Sequence, residues 1–404
     1  MNSVTGRVNK LFEHRRFNLI AFAIIAAMVL IAYSNAFNSS FHFDDNPQIV
    51  ENPHIKRLTS ENIMWLLGDS RPVVSLSLML NYQLGGLNVV GYHIFNIGCH
   101  IITGYLVYLF IVLTLNTPSL ITRFGHRARR MGLFAALLFA VHPVQTEAVT
   151  YIITRSEILA ALFYLATFLL FIRSVKTEKF GYSLAAAVTA LLSAGSKQWA
   201  VTLPAMLMLY DFLFLSDRKI KPVMSRWLTY ALITLSWIQI FKTTPLMSPG
   251  GSASFGFTVH TTSGITTWTY LLTSFNVIWT YIRLLFLPIS QNLDYDYPVA
   301  HTLLEFPTLL SFLGHAAVIA AAFILYKKKN ALLLPFCVAF FYITLSPTQS
   351  IVPIIDLIFE HRVYLPSVGF FFAFVVVYEE VFERLGKKKA SKPIIDAAGN
   401  RAGA

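Results

Sequence analysis

The chain has 404 residues, of which 55% are apolar, 14% aromatic and only 13% charged, with a formal charge of +12. So little polar surface excludes a soluble globule and places the chain in a bilayer. The basic residues cluster in the gaps between apolar runs, so the charge reads as membrane topology and anionic-headgroup contact and not as a nucleic-acid surface. The two cysteines, Cys99 and Cys337, both lie inside apolar runs, which leaves no disulfide framework and no Cys-x-x-Cys metal site.

Taken in order, residues 1–16 carry Arg7, Lys10, Arg15 and Arg16 and are expected on the cytoplasmic side of a first span over 18–36. No small-residue cleavage site follows, so this run is read as a span and not as a signal peptide. Residues 37–89 then form the first outer loop. It opens with FHFDDNPQIVENP at 41–53. A short amphipathic helix follows over 59–67, with Ser60 as its cap and an orientation along the interface. A second apolar piece over 73–84 ends at Gly85 and Gly86.

Further apolar runs are predicted to cross over 91–115, 131–141, 158–172, 184–194, 201–215 and 227–241, with basic residues such as Arg123, Arg127, Arg129, Arg130, Arg173 and Arg218 marking the inner ends. Residues 242–264 read as a Gly, Ser and Thr rich outer loop. If 291–298 lies outside, parity requires 266–287 to be a re-entrant hairpin or two short spans. Runs over 309–326, 332–344 and 368–381 complete a transmembrane unit over 17–385 with about eleven spans. Residues 386–404 are expected to be a basic, disordered cytoplasmic tail. The fold class is therefore an all-α polytopic membrane protein, with short interfacial helices in its first outer loop.

An ionisable side chain at membrane depth costs about 2.5–3.5 kcal/mol, so those that persist beside apolar runs need a reason. The conspicuous ones all fall on the outer side: Asp44 and Asp45; Arg71; His142, Glu147, Arg155 and Glu157; Lys197; Asp294 and Asp296; and Glu360, His361, Arg362 and Tyr364. Neighbouring carboxylates raise each other's proton affinity, and one can serve as general base towards a hydroxyl while the other orients or neutralises. Arginine and lysine suit a phosphate leaving group, and apolar grooves between helices suit a polyprenyl tail. Each cluster also has a bland reading: solvated loop or cap for the aspartates, ion pairs that orient helices for Glu147, Arg155 and Glu157, snorkelling for Lys197, and an exposed turn for NLDYDYP.

The ordered motifs FDDN, SRPV with LNY and YHIFN, HPVQTEAV with RSE, SK with TLP, NLDYDYP and HRVYLPS extend over about 41–370. In that order they resemble the membrane part of the transmembrane and tetratricopeptide-repeat O-mannosyltransferases and their bacterial relatives, glycosyltransferases of the GT-C superfamily. The resemblance implies a GT-C-like helical bundle that uses a polyprenyl-phosphate sugar as substrate, with no cofactor and no metal. It implies Asp44 as catalytic base with Asp45 as partner. Around donor phosphate or acceptor it implies Arg71, His142, Glu147, Arg155, Glu157, Lys197, Asp294, His361, Arg362 and Tyr364. The expected partners are the lipid-linked sugar, membrane lipids and an acceptor protein or glycan, without nucleic acid. The sequence contains no repeats, and Gln198 stands where the resemblance implies an acidic residue after the SK pair.

The function expected from these features is inverting transfer of a sugar to an acceptor hydroxyl on the periplasmic or luminal side, in a multi-pass protein of a bacterial inner membrane. The alternative is a polytopic transporter or lipid-linked sugar flippase. That class predicts internal repeats and ionisable residues near the midplane, whereas the sequence shows no repeat and gathers its polar clusters at one surface. A noncatalytic scaffold would leave the ordered polar motifs without a role.

Overall fold

The computed structural model describes residues 16–242, 265–328, 331–354 and 356–390, with side chains to 385. The expected outer loop at 243–264, the cytoplasmic N-terminus before 16 and the tail after 390 lie outside the described residues. Those that are described form helices and turns, and no strand occurs among them.

The first helix, α1, is Phe17–Ala32. In the loop that follows, α2 (Ser60–Gly68) and α3 (Pro72–Gly85) lie side by side, and Thr59, not Ser60, caps α2 by accepting from the Asn62 N–H at 3.2 Å. Then come α4 (Val89–Leu115), α5 (Ala128–Val141), α6 (Thr146–Thr150), α7 (Arg155–Thr177) and α8 (Phe180–Ala194). A 3₁₀ turn leads into α9 (Leu203–Tyr210), which ends in the π-helical turn Asp211–Leu215. The run expected over 227–241 is broken at Leu235 and Ser236 into α10 (Trp227–Thr234) and α11 (Trp237–Lys242). The remainder is α12 (Thr267–Phe286), α13 (Phe306–Lys327), α14 (Leu333–Leu345) and α15 (Pro366–Ala390).

By length and apolarity, 4 of the described helices can cross a membrane, or 5 if the pair bent by 54° at His142 counts as one span; α1, α8 and α14 are apolar but shorter. Proline at position 143 causes that bend, because the residue before a proline is driven out of the helical region and His142 has ψ 131. Small residues let the spans approach closely: Ala135, Ala136 and Ala140 on α5, Ala160 and Ala161 on α7, and Ala186 and Ala190 on α8 are fully buried. At one such approach, a Cβ on Gly369 of α15 would stand 2.8 Å from the Cys337 carbonyl of α14. The middle of the bundle is aromatic, with Phe110, Phe168, Tyr210, Phe336 and Phe340 in mutual ring contact. On α13 only Thr308 and His315 are buried, and its exposed Leu310, Leu313, Ile319 and Phe323 form a surface suited to hydrocarbon.

At one end of the bundle Arg123, Arg127 and Arg130 pair with Glu380, Glu383 and Glu379 at 2.8, 2.9 and 2.5 Å, tying the start of α5 to the end of α15. The opposite end holds the unexplained polar residues. The segment 266–287 is neither a hairpin nor two spans but the single helix α12, which lies across this second end. Its Tyr270 hydroxyl donates to the Thr348 carbonyl beyond α14 and its Tyr281 hydroxyl to the Phe359 carbonyl, while Asn276 donates to Thr308 at the start of α13 and Phe286 stacks edge-on against Phe370 at the start of α15. The helix before it, α11, also ends here, with Gln239 bonded to the Asp69 carbonyl and Lys242 to that of Leu67.

Candidate active site

The stretch FHFDDNP separates its two carboxylates. Phe43 has φ 43, a left-handed conformation that a bulky side chain adopts only under constraint. This kink turns Asp45 inward, to 1% exposure, where its carboxylate accepts from the backbone N–H groups of His42 at 3.1 Å and Ile153 at 2.8 Å. Burial raises its proton affinity above the ordinary carboxylate value, and the two N–H donors offset only part of that effect. Asp44 faces the other way, exposed, with its backbone N–H donating to the Tyr151 hydroxyl at 2.9 Å. The following π-helical turn, Asn46–Val50, buries Ile49 in a small core with Ile55, Leu66, Val74 and Leu78, which fixes the loop on α2 and α3.

Asp44 opens onto a cavity of about 560 Å³ that gathers residues from distant parts of the chain. Of the side chains expected from sequence, Asp44, Arg71, Lys197, Asp294, His361 and Arg362 line it. The other six do not, and each has a structural place instead. Asp45 is the internal pin just described. His142 ends α5, accepts from the Val144 N–H at 3.3 Å and packs on the Phe371 ring. Arg155 is fully buried behind the cavity wall, donating to Ser77 and Asn81 and lying over the Tyr92 and Phe95 rings. Tyr364 is buried against His100, 2.6 Å from its Nδ1. Glu147 and Glu157 lie beneath the floor and hold His361 and Lys197, which do face the cavity.

That floor alternates acidic and basic side chains. Lys197 Nζ is 2.8 Å from Glu157 Oε1, the other oxygen of Glu157 accepts from the Trp199 indole at 2.6 Å, and His361 Nε2 stands 3.7 Å from Glu157. His361 in turn meets Glu147 twice, through its backbone N–H at 3.0 Å and through Nδ1 at 2.5 Å. Burial lowers the Lys197 ammonium to about 8, against the opposing pull of Glu157. Arg362 spends its guanidinium on the carbonyls of Asp356 and Leu357. Arg71 differs: burial lowers its proton affinity while Glu157, Asp69 and Asp44 sustain its charge, and its buried Nε has no hydrogen-bond partner among the described residues. An unspent arginine beside a held lysine and histidine makes a cavity ready for an anion, with a carboxylate of its own at the rim.

Glu360, singled out with His361 in the sequence, does not reach the cavity. It accepts from the Asn292 N–H at 3.0 Å, the Tyr295 hydroxyl at 2.5 Å and the Gln291 amide, so it straps the NLDYDYP loop over the site and brings Leu293 and Asp294 into the wall. Gln198 is buried, its Oε1 has no partner among the described residues, and it does not line the cavity. Sequence reading missed Asp69, Ser75, Tyr151, Thr348, Asp356 and Phe359, all of which line it. Asp69 accepts from Ser75 and from the Arg71 N–H, and its place directly before SRPV was the available signal. Tyr151 sits at the break between α6 and α7 and carried no motif of its own.

No protein-family model matches the chain. Among curated proteins, protein O-mannosyl-transferase F38B6.6 of Caenorhabditis elegans is 26% identical over 385 residues, 89% of this chain and 51% of that protein. The chain resembles the protein O-mannosyl-transferases. Protein O-mannosyl-transferase TMTC4 of Homo sapiens is 35% identical over 163 residues, 36% of the chain and 22% of that protein, and Tmtc1 of Drosophila melanogaster is 31% identical over 199 residues, 46% of the chain and 22% of that protein. The chain thus spans about half or less of the length of the curated O-mannosyl-transferases it matches.

Proposed function

We propose that this chain is a membrane glycosyltransferase of GT-C type that moves a sugar from a polyprenyl-phosphate donor to an acceptor hydroxyl, with inversion. The observation that carries the reading is the shared cavity of Asp44 with Arg71, Lys197, His361 and Arg362. Asp44 takes the proton of the acceptor hydroxyl, the acceptor oxygen bonds to the anomeric carbon, and the bond from that carbon to the phosphate oxygen breaks, leaving its electron pair on the phosphate. Arg71 and Lys197 neutralise the charge that develops there, with His361 held beside them by Glu147. Val74, Leu78, Ile153, Leu293 and Ile354 supply an apolar wall for the isoprenoid next to the phosphate. The resemblance to protein O-mannosyl-transferases makes a mannosyl donor the first to assay, with a protein serine or threonine or a glycan as acceptor. The positive-inside pattern supports a periplasmic or luminal site.

The test uses the full chain in lipid nanodiscs with radiolabelled mannosyl-phosphoryl-polyprenol and serine- and threonine-containing peptides, reading lipid-phosphate release and peptide labelling. Asp44→Asn is expected to lower turnover about 100-fold or more while leaving thermal stability unchanged, because the Asp44 carboxylate is exposed. Full turnover in that variant refutes the base assignment. Failure of the unaltered protein to release phosphate from any of a panel of polyprenyl-phosphate sugars refutes the reaction.

A further inference from the structure

We infer that Tyr151 is a catalytic residue of this cavity: its phenol oxygen holds Asp44 through the Asp44 backbone N–H, and its own O–H donates to the acceptor oxygen that Asp44 deprotonates. The inference rests on Asp44 being the base, and its ligand class is an aliphatic hydroxyl.

A phenol has one proton to donate and lone pairs to accept with. The Tyr151 oxygen already accepts from the Asp44 N–H at 2.9 Å, so its proton points away from that nitrogen. None of the described residues accepts that proton, and the ring forms part of the cavity wall, half-buried. A partly buried donor without a protein partner, facing a cavity next to a carboxylate, is a place for a substrate oxygen. Burial, together with Asp44, Asp45 and Glu147 nearby, pushes the phenol upward, so it stays protonated and acts as a donor, not as a second base.

The location argues against a mere tether. Tyr151 and Ile153 grip consecutive residues of the carboxylate pair, one by its hydroxyl and the other by its backbone N–H to Asp45. The Ile153 bond needs no particular side chain and already fixes the loop. What tyrosine adds at 151 is a hydroxyl beside the base, held against the strain at Phe43. In the reaction the acceptor proton passes to the Asp44 carboxylate, the acceptor oxygen bonds to the anomeric carbon, and the phosphate leaves with its electron pair. Tyr151 keeps its proton throughout. Its hydrogen bond to one lone pair of the acceptor oxygen leaves the other lone pair aimed at the anomeric carbon and the hydroxyl proton aimed at Asp44.

Tyr151→Phe is expected to lower kcat about 100-fold, the loss that misplacement of a reacting group brings, with donor KM unchanged. Because that variant also loses the Asp44 contact, a ring-difluorinated tyrosine placed at 151 provides a second measurement with the shape and hydroxyl kept. Its more acidic phenol is expected to add an alkaline fall to the pH–rate profile at unchanged thermal stability. Wild-type kcat in Tyr151→Phe, or a pH–rate profile of the fluorinated protein that superimposes on the wild type, overturns the role. Unaltered turnover in Tyr151→Phe alongside an inactive Asp44→Asn removes Tyr151 and leaves the base in place. An unaltered protein that transfers from no donor removes both.

Discussion

Replacing Asp45 by alanine separates the two carboxylates experimentally. At 1% exposure the Asp45 side chain has no access to substrate, and what it loses is two hydrogen bonds, to Ile153 N–H at 2.8 Å and His42 N–H at 3.1 Å. A hydrogen bond to a charged group contributes about 1.5–3 kcal/mol, water can replace the carboxylate at the exposed His42, and burial of the charge offsets part of the rest, so the expected loss is about 2–3 kcal/mol. The sign with pH follows from the raised proton affinity. The fold binds a proton on Asp45 more tightly than the unfolded chain does, so this group's contribution is greatest below the ordinary carboxylate range and is lost as pH rises through the folded-state value. Asp45→Asn, which imitates the neutral form, should therefore keep more stability than Asp45→Ala. The assay is fluorescence-monitored thermal unfolding in detergent, paired with turnover measured well below the midpoint, where Asp45→Ala should recover most of its activity. An alanine variant as stable as the wild type but inactive would show that Asp45 meets substrate and refute the assignment.

Other expectations concern the floor and the packing. Lys197 loses its charge as pH rises through about 8, so kcat should fall and donor KM should climb across that range; kcat and KM both flat up to pH 9, about one unit beyond, would show that Lys197 does not meet the phosphate. Lys197→Met leaves Glu157 buried without its ammonium and should cost about 3 kcal/mol, the low end for a broken buried pair because Trp199 still donates, measured as a fall in thermal midpoint. Arg155→Met strands Ser77 and Asn81 behind the wall and should destabilise by about 3 kcal/mol without altering donor KM in the fraction that folds, as read by titration of the purified protein. Gly369→Ala forces a Cβ against the Cys337 carbonyl and should cost about 1–3 kcal/mol by overpacking, again by thermal unfolding.

Helices with long apolar runs were legible because one physical rule, the length of hydrocarbon to be crossed, governs them. The 20-residue helix α12 was not, since its aromatic residues and threonines suit a helix lying across the other helices as well as one that crosses. Within the candidate site, the polar residues that stood out in the sequence gather at one end of the bundle, and Asp44, Arg71, Lys197, Asp294, His361 and Arg362 line one cavity there. Residue type could not tell Arg71 from Arg155. Both follow polar residues beside an apolar run, and only the packing of α3 on α4 and α7 puts one in the wall and the other behind it. The same holds for Asp44 and Asp45, which are adjacent in sequence and opposed in direction because Phe43 turns the backbone.

The turn Glu360–Val363 imposes an order on the making of this protein. Glu147 and Glu157 leave the ribosome long before Lys197 can neutralise the second of them, and His361, which contacts both, follows only after most of the bundle has been made. Until then the Glu147 carboxyl lacks its His361 hydrogen bonds beside an apolar helix, and the NLDYDYP loop lacks its Glu360 anchor. A nascent chain arrested before residue 360 should therefore be short-lived in the membrane, and its cavity should become protected from protease and from thiol labelling at engineered cysteines only when that turn is inserted. The cavity is then completed late in the synthesis of the protein, whatever the order in which its helices enter the bilayer.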